Sequence, residues 1–453
     1  MSQREFSVAQ NSVITLATQI ASYALNFAAG IIIARSLGPA GKGTLSLVVL
    51  THVLLLTVSN LGLAAACSYM IARRGFSLGQ VTRHAIVVAL GLGLVTFGLT
   101  AVVVNFLPTS LVTPSQRVYV LLAAGLVPLA LATQFLNGAL LGAGQIVYLN
   151  GLTLAQAIIN VTGLVLFLLV LRLGLHGGLG AWTATVIGTC ALTVFVAFWR
   201  AHRLGSRTID GSPRWNRALT DEALHYGVRA YPAGVVSFLN LRSDQFLLGY
   251  LAGVASVGVY SVAVTVAELM LFFPRSLSTA LLPRITGTDS VSAKHMAASA
   301  CRHTVGGALI SGAVLLPIGL LIPVLFGEAY RPSVVPFLLL LPGLGAYALV
   351  PVLSTFFSGQ LGRPIVTSLF AALSLVTDVI LVWVLVPLLA VPGAALASTL
   401  AYLLTVISMI YYFRRLTGVQ LREMLAIRAE DITAYKILLD PLLRLRPKKS
   451  ADG

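Results

Sequence analysis

The chain has 453 residues, of which 57% are hydrophobic and only 10% charged, with a net charge of +16 and a mean hydropathy of +0.92. A water-soluble domain averages about 25% charged residues, so a surface this poor in charge excludes a soluble globular protein and calls for lipid as the solvent. The basic excess does not argue for nucleic acid, because the arginines and lysines gather between apolar stretches, as they do in loops that hold a membrane protein in place.

The N-terminus, Met-Ser-Gln-Arg-Glu-Phe, leads into an apolar segment from about Asn11 that is too long and too polar-striped for a signal peptide. It reads as a retained first helix. A membrane-crossing helix needs about 20 apolar residues. The first six such stretches are 11–34, 44–71, 84–106, 118–141, 150–171 and 178–199. The next six are 225–250, 257–282, 303–326, 333–357, 365–388 and 393–413. Gly38-Pro39, Pro108, Gly177-Gly178, Gly253, Pro332, Gly362 to Pro364 and Pro392-Gly393 punctuate the joins. The expected fold class is an all-α polytopic membrane protein of about twelve helices in two six-helix lobes. The expected division is a first lobe at 1–200, a basic linker at 201–224, a second lobe at 225–414 and a basic amphipathic tail at 415–453.

With the N-terminus placed in the cytoplasm, 22 of the 30 Lys and Arg fall in inner segments and five in outer loops, at Arg35, Lys42, Arg117, Arg172 and Arg331. This asymmetry places both termini on the cytoplasmic side of the cell (inner) membrane. The tail from Val419 to Lys449 mixes basic residues with Leu421, Met424, Leu425, Ile432, Leu438 and Leu439, the pattern of a segment lying on an anionic lipid face.

The chain also repeats itself. LGPAGKGTLSLVV from Leu37 lines up with AGVASVGVYSVAV from Ala252 at an offset of 215. GQIVYLNGLTLAQAIIN from Gly144 lines up with GRPIVTSLFAALSLVTD from Gly362 at an offset of 218, setting Asn160 on Asp378. A third pair matches GLGAWTAT from Gly178 with VPGAALAS from Val391. Offsets that nearly agree, in chain order, indicate duplication. Six helices per half make the repeats parallel, related by a pseudo-two-fold axis along the membrane normal, with a substrate site expected between them and helices 1 and 7 facing it.

Polar groups inside the helices mark the candidate site. Helix 1 carries Asn11, Thr15, Thr18, Gln19, Ser22 and Asn26, and spacings of three and four put Thr15, Gln19, Ser22 and Asn26 on one face. That face either lines a wet cavity or supplies hydrogen bonds between helices. Six charges lie within helices: Arg229, Arg242 and Asp244, then Glu268 and Arg275 around Pro274, and Asp378. A charge at a helix centre costs about 2.5–3.5 kcal/mol on insertion scales, so such residues face a cavity or pair with one another. The expected substrate-binding set is Arg229, Arg275, Asn26, Gln19 and Asn240. Asp244, Glu268, Asp378 and Arg242 are expected to couple transport to an ion or to form internal salt bridges. The arginines suit an anionic cargo, and Asp378 or Glu268 suits a proton or cation. Coupling to an H⁺ or Na⁺ gradient is left open, and no cofactor is expected.

Cys67, Cys190 and Cys301 form no metal or redox spacing and read as packing residues. No metal site is expected. No paired carboxylates, DxD, HExxH or phosphate-cradling glycine loop appears, and the outer loops hold only Glu328 and His176 as catalytic candidates. A membrane-embedded glycan polymerase or glycosyltransferase is therefore the weaker class, and the chain is not expected to be an enzyme.

RSLGPAGKG (Arg35 to Gly43) followed by NLGLAAACSYMIARR (Asn60 to Arg74) resembles the first lobe of Wzx-type polysaccharide flippases, a family related to MATE exporters and lipid II flippases. DQFLLGYLAGVASVGVYSVAV (Asp244 to Val264) and LLPRIT (Leu281 to Thr286) resemble its second lobe, and the likeness runs from about 10 to 415. The resemblance implies alternating access, with a polyprenyl-pyrophosphate-linked oligosaccharide as cargo. The implied partners are that lipid-linked glycan, membrane lipids and other polysaccharide-assembly proteins, with no nucleic acid. Lipid II ranks lower as cargo because its flippases carry two further helices. A MATE-like cation-coupled exporter of small molecules is the alternative, disfavoured by the balance of acids and bases.

Overall fold

A computed structural model describes residues 8–106, 108, 113–204, 217–272, 274, 277–278, 281, 285 and 287–427, without the side chains of 8–14, 16, 217–233 and 364. Among the described residues there are helices and turns and no strands. The first helical run, Val8–Asn60, breaks at Gly38, whose φ of 64° and ψ of −178° lie outside any helix. Glycine enters that region without a Cβ clash, and Pro39 then starts the next helix where no N–H is needed. The break gives α1 (8–37) and α2 (39–60). There follow α3 (Leu78–Phe106), α4 (Pro114–Gly142), α5 (Ile146–Val170) and α6 (Gly174–Arg203). The second half contains α7 (Arg217–Ala252), α8 (Val254–Leu271), α9 (Ser290–Leu320), α10 (Glu328–Gln360), α11 (Pro364–Leu389) and α12 (Val391–Thr417). Among the described residues ten helices are long and apolar enough to cross a membrane; dividing the first run at Gly38 and adding α7 gives twelve, the number the sequence predicts. Their outward faces carry large apolar side chains such as Leu94, Phe106, Leu388 and Ile407, which only lipid can cover.

Several boundaries move. The segment expected at 44–71 is α2 from 39 to 60 and, after the left-handed pair Leu61 and Gly62, a separate helix Leu63–Arg74. Lys42 therefore lies in the first turn of α2, only 7% exposed, and not in an outer loop. The segment expected at 303–326 starts at Ser290, because Asp289 caps it and its basic first turns need no lipid. The Asp289 carboxylate accepts from the backbone N–H of Val291 and Ser292 at 3.0 and 2.9 Å. Those bonds, the Ser292 ones foremost, hold its pKa below the ordinary carboxylate range. The same expected segment ends early, at Leu320, before a short helix Ile322–Phe326. The tail beyond residue 427, including Ile432, Leu438 and Leu439, lies outside the described residues.

The chain packs as two compact units. One comprises Met1–Val262, Leu321–Val334 and Val382–Ala394; the other comprises Ala263–Leu320, Val335–Leu381 and Ala395–Gly453. In the first, Leu131, Phe135, Leu136 and Leu140 of α4 sit at the centre of a core that includes Cys67 and Cys190. Gly138 admits the Ala64 carbonyl so closely that an added Cβ would stand 2.1 Å from it, the small-residue contact typical of membrane helices. Several polar side chains are paired across helices, although the hydroxyls of Thr82, Thr189 and Thr193 are buried without a partner among the described residues. The His52 Nδ1–H donates to Ala123 O at 2.8 Å, Ser59 and Thr96 hydroxyls meet at 2.6 Å, and Asn60 bonds Gln134. In the second unit, Phe356, Phe357 and Phe413 pack edge to face around Met409 and Cys301. Ser278 Oγ donates to Pro351 O at 2.8 Å. All three cysteines are buried and free, as packing residues would be.

The duplication is visible in the backbone. Residues with positive φ recur in equivalent joins: Gly38 (64°) and Gly253 (82°), Gly144 (70°) and Gly362 (63°), Arg172 (51°) and Ala390 (52°). Within the first unit, α2 and α8 cross in a reciprocal contact. A Cβ on Gly43 would stand 1.8 Å from Val254 O, and one on Gly258 would stand 1.9 Å from Pro39 O. Gly43 and Gly258 are repeat partners at an offset of 215, and so are Pro39 and Val254. The third sequence pair needs re-registering. Gly177 packs on Phe167 O as Gly393 packs on Leu385 O, so Gly393 pairs with Gly177 and not with Gly180. The shared Ala-rich composition of the two segments allowed the three-residue slip.

Candidate functional site

The α2/α8 crossing ends in a polar clamp within the first unit. Arg35, in the last turn of α1, donates from Nε to Leu325 O at 2.8 Å and from Nη2 to Val324 O at 2.6 Å. These are C-terminal carbonyls of the helix Ile322–Phe326, which lack helical partners and attract a cation. Tyr330, 1% exposed, donates its hydroxyl to Ala34 O at 3.3 Å. Phe27 and Phe326 stack edge to face at 5.7 Å. The sequence reading counted Arg35 only as an outer-loop charge, and nothing in its local pattern names a partner 290 residues away.

The polar face of α1 divides. Thr15 accepts a 2.7 Å bond from Asn150 Nδ2 of α5 and so joins two helices, whereas Ser22 is buried and its hydroxyl has no partner among the described residues. Gln19 and Asn26 are exposed. The side chain of Asn11 lies outside the described residues.

On α7 the sequence Asn240-Leu241-Arg242-Ser243-Asp244-Gln245 places four buried polar side chains together: Asn240, Ser243, Asp244 and Gln245 are 2%, 8%, 4% and 4% exposed. Tyr260 of α8, fully buried, donates its hydroxyl to Asp244 Oδ2 at 2.6 Å, and the Gln245 N–H donates to Asp244 Oδ1 at 2.7 Å. A hydrogen bond this short between two buried side chains fixes both of them. Arg242 is half-buried and donates to Leu241 O at 3.1 Å. In the second unit Asp378 of α11, 1% exposed, accepts from Ser398 Oγ of α12 at 2.9 Å. Glu268 is half-buried where α8 tightens into a 3₁₀ turn, Glu268–Leu271. The side chain of Arg229 and the whole of Arg275 lie outside the described residues. Tyr260 and Ser398, the hydroxyl partners of the two aspartates, escape a search for charges. A hydroxyl one helix after a buried carboxylate is the signal that finds them.

Known proteins agree with this architecture. The sequence profile of the polysaccharide biosynthesis protein family matches residues 8–289. No curated protein matches the full sequence. Among solved structures, an inward-facing multidrug-resistance MATE transporter of the MOP superfamily superposes with a TM-score of 0.65 at 16% identity, covering 90% of this chain and 98% of that one. An outward-facing one gives 0.62 at 19% identity, with 89% and 93% covered. A MOP superfamily transporter from Pyrococcus furiosus, described as having a binding pocket of reversed polarity, gives 0.59 at 16% identity, with 90% and 94% covered. The chain is a multi-pass membrane protein that belongs to the polysaccharide biosynthesis protein family and has the fold of the MOP-superfamily transporters.

Proposed function

We propose that this protein is a flippase that moves a polyprenyl-pyrophosphate-linked oligosaccharide across the cytoplasmic membrane by alternating access. One observation carries the reading beyond family membership. Gln19 and Asn26 keep exposed amides on a helix that crosses the membrane. Lipid tails offer such groups no hydrogen bond, whereas a sugar does. Arg229 and Arg275 are the candidates for the pyrophosphate, because a guanidinium pairs with phosphate oxygens at two points and stays charged when desolvated. Asp244, Asp378 and Glu268 are the candidates for coupling to a proton or sodium ion. The excess of cations at the Arg200 end supports an orientation with both termini in the cytoplasm, where polysaccharide-assembly enzymes would supply the cargo.

The test is leaflet translocation of a fluorescent lipid-linked oligosaccharide in vesicles containing purified protein. Arg229→Ala and Arg275→Ala should each abolish transport without loss of folded protein, and Gln19→Leu with Asn26→Leu should slow it about tenfold, the effect of losing one or two hydrogen bonds to cargo. Wild-type transport by both arginine variants removes the pyrophosphate assignment. Lost folding that is repaired by neutralising Glu268 together with Arg275 makes that pair structural. Efflux of a cationic dye, with no movement of the lipid-linked sugar, establishes the exporter instead.

A further inference from the structure

Arg200 closes the last turn of α6 at the end of the bundle where α5 begins, and only 9% of it is exposed. Among the described residues it makes one hydrogen bond, from Nη1 to the Tyr148 hydroxyl, 3.3 Å long. Its guanidinium lies 4.6 Å over the Tyr148 ring and 5.7 Å from the Trp199 ring, and Arg203 lies 5.5 Å from the other part of the same cluster, over Trp199. Nε is buried and has no partner among the described residues. Among the described residues no carboxylate answers it, and between residues 6 and 209 the sequence has not one Asp or Glu. A cation in the last turn of a helix offsets the dipole, but that needs neither burial nor an unpaired donor. A desolvated guanidinium is costly unless an anion meets it.

We propose that Arg200, Arg203, Tyr148 and Trp199 form a seat for a lipid-borne phosphoryl group at the cytoplasmic interface. The guanidinium, whose Nε makes no hydrogen bond among the described residues, is the kind of fork that phosphate oxygens accept at two points once the side chain turns toward the headgroups. The two aromatic rings, at 5.8 Å and 67°, have the amphipathic character that settles at headgroup level, where a glycerol or prenyl chain would lie against them. Arg203, exposed, adds charge toward an anionic leaflet. The phosphoryl group belongs either to an acidic phospholipid or to a prenyl pyrophosphate waiting to enter the transport path. The site itself does not depend on the transport reading.

The experiment is native mass spectrometry of the full chain released from neutral detergent, titrated in separate arms with phosphatidylglycerol, phosphatidylcholine, farnesyl pyrophosphate and inorganic pyrophosphate. Wild type should retain phosphatidylglycerol or farnesyl pyrophosphate about tenfold more tightly than Arg200→Gln, the worth of one charge-assisted bond. Phosphatidylcholine should show no such difference. Whichever anionic lipid wins names the source. Tyr148→Phe, which keeps the ring, should stay within about twofold of wild type, since a long neutral hydrogen bond contributes little. Trp199→Ala provides a second variant should Arg200→Gln fail to fold. Equal retention of both anionic lipids by wild type and by the folded variant overturns the proposal, and so does binding of inorganic pyrophosphate as tightly as either lipid. Transport and lipid retention are separate readouts, so loss of one without the other distinguishes failure of this site from failure of the flippase reading.

Discussion

The two halves of the molecule share their joins and differ in their charges. The first repeat holds its helices together with hydroxyls, amides and one imidazole, as in Ser59 with Thr96, Asn60 with Gln134, and His52 on Ala123 O. It has no carboxylate from residue 6 to 209. The second repeat embeds Asp244, Glu268 and Asp378 in its helices. At the offset of 215 that aligns the α2/α8 crossing, Asp244 and Tyr260 correspond to Ala29 and Leu45, each part of an apolar cluster. Asp378 corresponds to Asn160. The same backbone therefore forms with a buried acid–phenol pair or with an alanine and a leucine in its place. The shared backbone accommodates either set, and the embedded acids lie on one side of the duplication only.

This comparison can be broken or sharpened by exchange. The largest effect should come from Ala29→Asp, which places a carboxylate in an apolar cluster with no hydroxyl to receive it; about 3–5 kcal/mol of stability should be lost. Adding Leu45→Tyr should restore a measurable part of it in thermal unfolding of the detergent-solubilised protein. No restoration by the pair would mean that the two repeats are not interchangeable at these positions.

Next come Gly43→Val and Gly258→Val. Each drives a side chain into a facing carbonyl, and overpacking of this kind costs about 1–3 kcal/mol or opens the contact. Reciprocity demands nearly equal losses. Cysteines at Ala40 and Ser256 report the crossing directly by cross-linking yield, and a loss confined to one variant would show that one side of the contact is slack.

Smaller effects are expected at the acids themselves. Asp244→Asn keeps an acceptor for Tyr260 and should cost about 1 kcal/mol, whereas Asp244→Ala takes that acceptor from the buried phenol and should cost about 1–3 kcal/mol. If Asp244 or Asp378 couples transport to protons, the Asn variants should flatten the pH dependence of translocation while the protein stays folded. An unchanged pH profile would leave both acids as structural locks.

The smallest effect belongs to Asp289. Its pKa is depressed by the N–H groups it caps, so its contribution is present above the unfolded-state value of about 3.9 and is lost as pH falls through the lower folded value. Unfolding of wild type and Asp289→Asn should differ at neutral pH and converge in acid. A difference that persists in acid would deny the carboxylate that role.

The twelve helices, their joins and the duplication were legible because hydrophobic run length and the Gly and Pro breaks between runs are strong, local signals. The boundaries at which structure and sequence pattern differ have local causes too. The start of α9 was hidden because Lys294 and Arg302 resemble a loop to a hydropathy window, although a helix extends into water as readily as it crosses lipid. Lys42 was placed in a loop because Gly38-Pro39 reads as a turn, when the chain needs only one non-helical residue there. Of the candidate site, the buried acids were found from their charge. Their hydroxyl partners, the Arg35 clamp and the Arg200 cluster depend on distances through space. No periodicity along the chain encodes them.

The reciprocal α2/α8 contact also carries a historical consequence. Pro39 meets Gly258 while Val254 meets Gly43, so each half presents the same patch to the other. That is the isologous pattern of a two-fold homodimer, in which residue i of one subunit touches residue j of its mate and j touches i. A half-length ancestor of six helices, inserting with a single orientation, would have paired through this glycine before gene fusion tied the two copies together. Once fused, the copies were free to diverge, and one could lose or gain every membrane-embedded acid while the shared contact kept both in register.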